Sequence, residues 1–166
     1  MNGRECENPL WLPDQKAGMQ HARLVVCEPV PSWIAAIRWS WPTDSEPLVE
    51  VANLADCRRQ LSTHPASLLA LDCTDLSKHE LLIWMREMKV RFPLARVIAL
   101  LARGHSGWEW LIRESGAVHV LVGTREVETI VTFYKHHLAS LPEPQLSLRD
   151  WIWNRLPWPT ASLPEP

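Results

Sequence analysis

Glycine is scarce in this sequence, with only six residues in 166, and none of them lies in the loop directly after the first apolar run of the chain. A loop that binds a dinucleotide or a phosphate needs glycines, because its backbone N–H groups must approach the anion closely. Here Pro29 and Pro31 occupy that position and remove two N–H donors. The sequence therefore argues against nucleotide binding of this kind. The same loop also lacks the Ser, Thr and Gly residues that a flavin mononucleotide site would need.

Long apolar runs, an excess of charge and closely paired cysteines are missing too. No window has the ~18 uninterrupted apolar residues of a membrane span, and the N-terminus lacks the basic and apolar segments of a signal peptide. The net charge of −2 offers little attraction for nucleic acid or an anionic membrane. The four cysteines form no CxxC pair, which argues against zinc and thioredoxin-type chemistry. We expect a cytoplasmic protein that binds neither nucleic acid nor membranes.

Proline and tryptophan, by contrast, are abundant, with 14 and 10 residues. Proline fixes φ and lacks an N–H, so it accumulates where regular structure ends. Residues 1–21 show no sustained periodicity, and residues 142–166 are rich in proline and tryptophan. The sequence therefore predicts one domain over residues 22–141 with a tail on each side.

The middle part alternates short apolar runs with segments of helical period. The apolar runs are residues 23–28, 48–52, 67–72, 96–102 and 117–122. Such alternation is typical of βαβ units with a parallel sheet. The third run is apolar on both faces and should lie centrally, whereas Glu50 interrupts the second run as in an edge strand. The predicted fold class is α/β, a doubly wound three-layer sandwich with a five-stranded parallel sheet of flavodoxin-like topology.

Local patterns predict where the helices begin and end. Asn53, Ser77 and Ser106 are predicted N-caps, and Gly116 is a predicted C-cap. After Ser77 the apolar residues recur at helical spacing, which predicts one buried face. That face consists of Leu81, Trp84, Met85 and Met88.

Several strand ends carry residues that suggest a family. The run that ends in Cys27 and Glu28, the run that ends in Asp72, and the stretches 91–100 and 114–121 resemble motifs of response regulator receiver domains. Gly116 followed by Ala117 is a familiar detail of these domains. The resemblance covers roughly residues 22–141. It implies that Asp72 stands at the phospho-acceptor position and that Glu28 is one member of the acidic pair that binds Mg²⁺.

The sequence departs from the receiver pattern at three positions. Cys27 replaces the other acidic residue, Leu101 stands where the family has Ser or Thr, and Gly123–Thr124 stands where it has Lys-Pro. Phosphoryl transfer to a carboxylate needs positive charge near the phosphoryl oxygens, and Mg²⁺ prefers carboxylate and water oxygens. The sequence therefore indicates a degenerate receiver, or pseudo-receiver.

Asp72 has two interpretations. We favour a structural one, in which its side chain caps the turn that follows the strand. In the other, Asp72 is phosphorylated, and Arg103 or Arg125 replaces the missing cation. No cofactor is expected, and Mg²⁺ only as a weakly bound ion at Glu28 and Asp72.

The favoured hypothesis is a stand-alone pseudo-receiver that acts in signal transduction through protein–protein interaction, without phosphorylation and without enzymatic activity. The alternative is a phosphorylatable response regulator of a two-component system, in which Asp72 accepts a phosphoryl group from a histidine kinase. A third hypothesis is an uncharacterised structural subunit. The expected partners are other signalling proteins, and the sequence leaves open whether the chain forms a homodimer.

Tryptophans predict where such partners bind. Residues two apart on a helix face different sides, so the pairs separated by one residue cannot all be buried. Exposed tryptophans are enriched at protein interfaces. Trp108 and Trp110, on the predicted fourth helix, form one candidate interaction surface. Trp151 and Ile152 form a second one on a short amphipathic segment of the C-terminal tail, which we expect to dock on its own domain or, slightly less favoured, in a partner's groove.

Cysteine and histidine residues receive structural interpretations. Cys27 and Cys73 should be neighbours across two strands and behave as small buried hydrophobes. His119 lies within the last strand, either facing outward or buried with a hydrogen bond. His136 and His137 are predicted to place positive charge at the C-terminal end of the last helix, which suits the helix dipole.

Overall fold

The computed structural model describes residues 22–43, 45, 48–104 and 106–142, in which strands and helices alternate. The strands are β1 (Leu24–Cys27), β2 (Val49–Val51), β3 (Leu68–Asp72), β4 (Arg96–Leu101) and β5 (His119–Val122). The α-helices are α1 (Trp33–Ser40), α2 (Leu54–Thr63), α3 (Lys78–Arg91), α4 (Glu109–Ser115) and α5 (Glu128–Ser140). Two 3₁₀ turns, Ser106–Trp108 and Thr124–Glu126, lead into α4 and α5. The predicted α/β fold class is confirmed.

The five strands form one parallel sheet with the order β2-β1-β3-β4-β5. As predicted, the doubly apolar strand β3 lies at the centre and β2 lies at an edge. Cys27 of β1 is in register with Leu71 of β3, which brings the carboxyl ends of these two strands to the same level. The order of the strands reverses between β1 and β3, and in doubly wound sheets this reversal opens a crevice.

The hydrophobic core consists of two layers, one on each face of the sheet. Successive side chains of a strand point to opposite faces, so each strand contributes to both layers. In β3, Leu69 and Leu71 pack against α2, α3 and α4, whereas Leu68 and Ala70 pack against α1 and α5. The predicted buried face of α3 lies in the first layer. It consists of Leu81, Trp84, Met85 and Met88.

Three of the four predicted caps are present. The Asn53 side chain accepts a hydrogen bond from the Asp56 N–H at 2.9 Å, and the Ser77 hydroxyl accepts one from the Glu80 N–H at 3.2 Å. Gly116 ends α4 with a φ of 108°, a left-handed conformation that favours glycine. The prediction for Ser106 was wrong.

The difference at Ser106 has a local cause. Residues 106–108 form a 3₁₀ turn, so the α-helix begins only at Glu109. Trp108 then occupies the N-cap position and makes no side-chain capping bond. Short 3₁₀ turns are common at helix starts, and their sequence pattern is that of the helix itself.

His137 also differs from the prediction. Its side chain is buried, and its Nε2–H donates a hydrogen bond of 2.7 Å to the Ala66 carbonyl. Burial lowers the pKa of His137, so the ring is neutral and adds no positive charge to the end of α5. The neighbouring His136 is exposed, as expected for a residue at a helix end.

None of the helices in the described part of the chain is long and apolar enough to cross a membrane. The predicted tails, apart from Pro142, lie outside the described residues, and so do Trp151 and Ile152 of the second candidate surface.

Candidate functional site

The carboxyl ends of β1 and β3 bring together the residues that the sequence singled out. Because Cys27 is in register with Leu71, the next residue on each strand, Glu28 and Asp72, also lie at one level. Glu28 is buried, with only 2% of its surface exposed, whereas Asp72 is half-buried. The two carboxyl groups therefore share an edge of the sheet but not the same environment.

Glu28 caps helix α1. Its Oε2 accepts hydrogen bonds from the N–H of Ser32 at 2.9 Å and of Trp33 at 2.7 Å, and from the Ser32 hydroxyl at 3.2 Å. Its Oε1 accepts one from the N–H of Ile34 at 2.7 Å. The first N–H groups of a helix have no partner within the helix, and a carboxylate there also interacts favourably with the helix dipole. Ser32, in the N-cap position, makes no capping bond with its own side chain, so Glu28 takes over that function.

This capping function limits what else Glu28 can do. A carboxylate that accepts from four donors must give up some of these bonds before it coordinates a metal ion. Within the described ranges, no group of three or more His, Cys, Asp or Glu side chains is arranged to hold a metal ion. Weak Mg²⁺ binding by Glu28 and Asp72 stays a prediction.

Asp72 stabilises the turn after β3. Its Oδ1 accepts a hydrogen bond from the Thr74 N–H at 2.9 Å, the short-range bond that the structural interpretation of Asp72 predicts. The Thr74 hydroxyl in turn accepts a bond from the Ala102 N–H at 3.1 Å. Asp72 and Thr74 thus connect the ends of β3 and β4. Phosphorylation of Asp72 stays a prediction.

The other two receiver positions lie at the ends of β4 and β5. Leu101 is fully buried in the first core layer and has no hydroxyl to offer. Gly123 has a φ of 76°, and the side chain of Arg103 lies directly over it. A Cβ added to Gly123 would stand 3.1 Å from Nε and 3.2 Å from Cγ of Arg103. Arg103 therefore carries its charge to this end of the sheet.

The two candidate replacement cations differ in position. Arg103 packs on Gly123, whereas Arg125 lies exposed in the 3₁₀ turn before α5. Neither of them forms an ion pair with Asp72 in the described structure. Positive charge is thus close to the edge but is not bound to the candidate phospho-acceptor.

Three buried cysteines lie beneath the site. The thiol of Cys57, on α2, hydrogen-bonds to Cys27, and this bond lowers the pKa of Cys27 against the opposing effect of burial. The same bond raises the pKa of Cys57. Burial raises the pKa of Cys73 to about 12, and its thiol donates to the Leu71 carbonyl at 3.4 Å. The sequence indicates that Cys27 and Cys73 are neighbours but gives no sign of Cys57, because only the packing of α2 brings it to β1.

The predicted tryptophan surface is divided by the fold. Trp110 is 67% exposed on α4, whereas Trp108 is partly buried against the first core layer. The Lys78 ammonium lies 4.9 Å from the centre of the Trp108 ring. Trp39, on α1, is exposed to 93% and is thus the more exposed member of its own pair with Trp41.

Comparison with known proteins locates the fold. No protein family and no curated protein matches the sequence. Among solved structures, a response regulator from Thermotoga maritima is 16% identical with a TM-score of 0.60, over 72% of this chain and 99% of that chain. The signal receiver domain of a Vibrio parahaemolyticus protein described as a LuxO repressor is 18% identical with a TM-score of 0.58, over 72% and 91%.

A more distant likeness points the same way. A CheY-like protein from Pseudomonas aeruginosa is 12% identical with a TM-score of 0.51, over 72% of this chain and 96% of that chain. All three likenesses lie at low sequence identity, so what they establish is the fold. The described part of the chain has the receiver fold that its sequence motifs predict.

Proposed function

We propose that the domain over residues 22–141 is a pseudo-receiver that acts in signal transduction by binding other proteins, without phosphorylation of Asp72 and without enzymatic activity. Solved structures of the same fold include a signal receiver domain and a response regulator, which supports a function in signalling. The observation that carries the proposal is the capping of α1 by Glu28. Its carboxylate accepts four hydrogen bonds from the start of the helix and is committed to the fold.

The rest of the edge supports the same conclusion. A phosphoryl group on Asp72 needs positive charge and hydrogen-bond donors around its oxygens. Leu101 offers a buried aliphatic side chain at the end of β4, and Gly123 offers no side chain at the end of β5. The Oδ1 of Asp72 already accepts the Thr74 N–H. Together these features favour a site that no longer handles phosphate.

Binding of a partner protein is supported by Trp110. Its ring is largely exposed on α4, while Trp108, just before the same helix, packs against the first core layer. An exposed indole buries a large area on binding and loses little conformational entropy, which is why tryptophan is enriched at interfaces. We assign α4 as the candidate interaction surface, for another signalling protein or for a second copy of this chain.

Phosphorylation can be tested directly. The protein is incubated with acetyl phosphate and Mg²⁺ and, separately, with beryllofluoride and Mg²⁺, and is then analysed by intact mass and by the amide spectrum. We expect no phosphoryl adduct and no shift of the amides at residues 72–74. The matched variants are Asp72→Asn and Asp75→Asn. An adduct that Asp72→Asn abolishes and Asp75→Asn retains would overturn the proposal.

One observation favours the alternative, a response regulator phosphorylated on Asp72 by a histidine kinase. Arg103 lies over Gly123 and thus brings a cation to the end of β5. If the adduct forms, this alternative predicts that Arg103→Gln abolishes it while Arg125→Gln does not. Under the pseudo-receiver proposal, neither the unmodified protein nor either arginine variant forms a phosphoryl adduct.

The interaction surface is tested by cross-linking. A photoreactive amino acid is placed at Trp110 in one variant and at Trp39 in another, since both tryptophans are exposed but lie on different helices. We expect cross-linked partner, or cross-linked dimer, from position 110 and not from position 39. Equal products from both positions, or none from position 110, would contradict the assignment of α4.

A further inference from the structure

A cavity of about 440 Å³ lies at the carboxyl edge of the sheet. It is bounded by the ends of β1 and β3, by the start of α2 and by the loop before α3. The strand order reverses between β1 and β3, and doubly wound folds bind ligands in the crevice at such a reversal. Pockets for small molecules range over roughly 300–1,000 Å³, so this cavity has the size of a ligand site.

The walls of the cavity are mainly apolar. Pro29, Leu54, Leu71 and Leu76 line it, together with the buried Cys27. Pro29 and Leu76 lie in the loops after β1 and before α3, Leu54 begins α2, and Leu71 belongs to β3. An apolar wall favours a ligand whose body is itself apolar, because burial removes that surface from water.

Every charged residue that lines the cavity is acidic. These residues are Asp72, Asp75 and Glu80, and no lysine, arginine or histidine of the described chain lines it. Asp75 and Glu80 are exposed and form no ion pair within the described residues. Their charges are therefore free to attract a cation and to repel phosphate or a carboxylate.

The crevice continues past Leu54 and Glu80 towards Trp84. A second cavity, of about 350 Å³, shares Leu54 and Glu80 with the first and is lined by Trp84. Trp84 is only 1% exposed, and its indole Nε1–H has no hydrogen-bond partner in the described structure. Arg58 also lines this second cavity, but its guanidinium is bound to Glu87 at 2.7 Å. Because the indole N–H is enclosed by protein atoms, it offers no donor to a ligand in the crevice.

We propose that this crevice is a binding site for a small amphipathic cation. Its apolar body lies between Leu54 and Leu76, and its ammonium group faces Asp75 and Glu80. The proposal concerns a small molecule and stands apart from the proposed protein partner and from phosphorylation of Asp72, so each can fail alone.

The charge requirement is tested with three probes that share a ring and a two-carbon chain. They are 2-phenylethylamine, 2-phenylethanol and 3-phenylpropanoate, titrated into the full-length ¹⁵N-labelled protein. We expect the amine to shift the amides of residues 52–55 and 75–76. The alcohol should bind about tenfold more weakly, since it lacks the two surface ion pairs, and the carboxylate should not bind. Equal affinity for all three probes, or shifts at other residues, would overturn the proposal.

Variants then separate the charge from the cavity. Asp75→Asn combined with Glu80→Gln should weaken the amine about tenfold, to the affinity of the alcohol, and leave the alcohol unchanged. Glu128→Gln, an exposed residue at the start of α5, is the control for net charge and should leave all affinities unchanged. Ala55→Phe, which fills the cavity from an exposed lining position, should abolish binding of both the amine and the alcohol.

The amide spectrum of each variant verifies its fold before titration. Unchanged amine binding in the Asp75/Glu80 double variant would refute the assigned cation position. Unchanged binding in a folded Ala55→Phe variant would refute the assigned cavity. If either variant fails to fold, the comparison of the three probes on the unmodified protein still decides the proposal.

Discussion

Glu28 caps α1 across a greater sequence distance than Asn53 and Ser77 cap their own helices. Asn53 and Ser77 each bond an N–H three residues ahead, whereas Glu28 reaches four to six residues ahead, across a turn with two prolines. The longer side chain is needed because the helix starts beyond the turn rather than directly after the strand. The same carboxylate that suggests an acidic site in the sequence therefore performs a structural function in the fold.

Replacement of Glu28 should destabilise the protein. Glu28→Ala leaves the first N–H groups of α1 without their acceptor in a buried place, and we expect a loss of about 2–4 kcal/mol in the free energy of unfolding. Glu28→Gln should lose less, because one oxygen can still accept the three bonds now made by Oε2. Urea denaturation measures both variants.

Glu50→Ala on the edge strand β2 is the matched control for Glu28. Glu50 forms an ion pair of 3.1 Å with Arg38, whose side chain is largely exposed, so its loss should cost about 1 kcal/mol or less. If Glu28→Ala proves as stable as Glu50→Ala, the capping function of Glu28 is refuted.

The buried His137 lowers the stability of the protein as the pH falls, whereas a charged histidine at a helix end would raise it. Burial, with further contributions from Arg96 and His136, lowers its pKa from the ordinary 6.5, so the unfolded chain binds the proton more readily than the folded one. The contribution of neutral His137 to the free energy of unfolding is therefore fully present above pH 6.5. It is lost as the pH falls towards the lowered pKa, by at most about 1.4 kcal/mol per pH unit for one proton.

The variant His137→Gln isolates this effect, because its amide can still donate to the Ala66 carbonyl. Between about pH 7.5 and pH 5.5 the wild type should lose more free energy of unfolding than this variant does. His136→Gln, at an exposed position, should follow the wild type. Parallel pH curves for wild type and His137→Gln would contradict the assigned burial effect.

At the level of elements, the start of α3 depends on one hydroxyl. Ser77→Ala removes the bond to the Glu80 N–H and should cost about 1 kcal/mol of stability. Ser62→Ala in α2 is the control, since its hydroxyl donates to the Arg58 carbonyl within the helix and alanine is the better helix former. We expect that variant to be as stable as the wild type or slightly more so. A loss in the Ser62 variant equal to that in the Ser77 variant would argue against the cap.

The elements also show which kinds of pattern a sequence reveals. Asn53, Ser77 and Gly116 were identified because each acts within a few residues of its own position. The capping by Glu28 was missed because it spans a turn, and the partnership of Cys57 with Cys27 was missed because it depends on how α2 packs on β1. Short-range bonds can be predicted from sequence, but contacts between elements need the fold.

At the level of the whole molecule, the alternation of apolar runs was enough to predict the sheet. A parallel sheet must be covered on both faces, so its central strand is apolar on both sides. This pattern identifies β3 as the central strand. The two core layers arise from this single property. The site could be predicted only as a set of strand ends. Its cavity depends on how the ends of β1 and β3, the start of α2 and the loop before α3 pack together, and contacts between elements leave no periodic pattern in the sequence.

The described domain should fold without its flanking segments. Both layers of the core are closed by α1, α2, α3, α4 and α5, so a fragment of residues 22–142 should unfold cooperatively and keep the amide spectrum of the strands. Thermal unfolding and the amide spectrum of the fragment, compared with those of the full chain, measure this. Loss of cooperative unfolding in the fragment would mean that one of the removed segments is part of the core.

Gly123 restricts which residues can stand at the end of β5. Its φ of 76° with a ψ of 166° is a conformation that essentially only glycine adopts, and a Cβ there would meet Arg103 at 3.1 Å. A lysine at position 123 would therefore require a new backbone path and a displaced arginine, while Leu101 would still lack a hydroxyl. The end of β5 thus accepts no side chain without rearrangement, so the residue that follows this strand acts on its surroundings through its backbone alone.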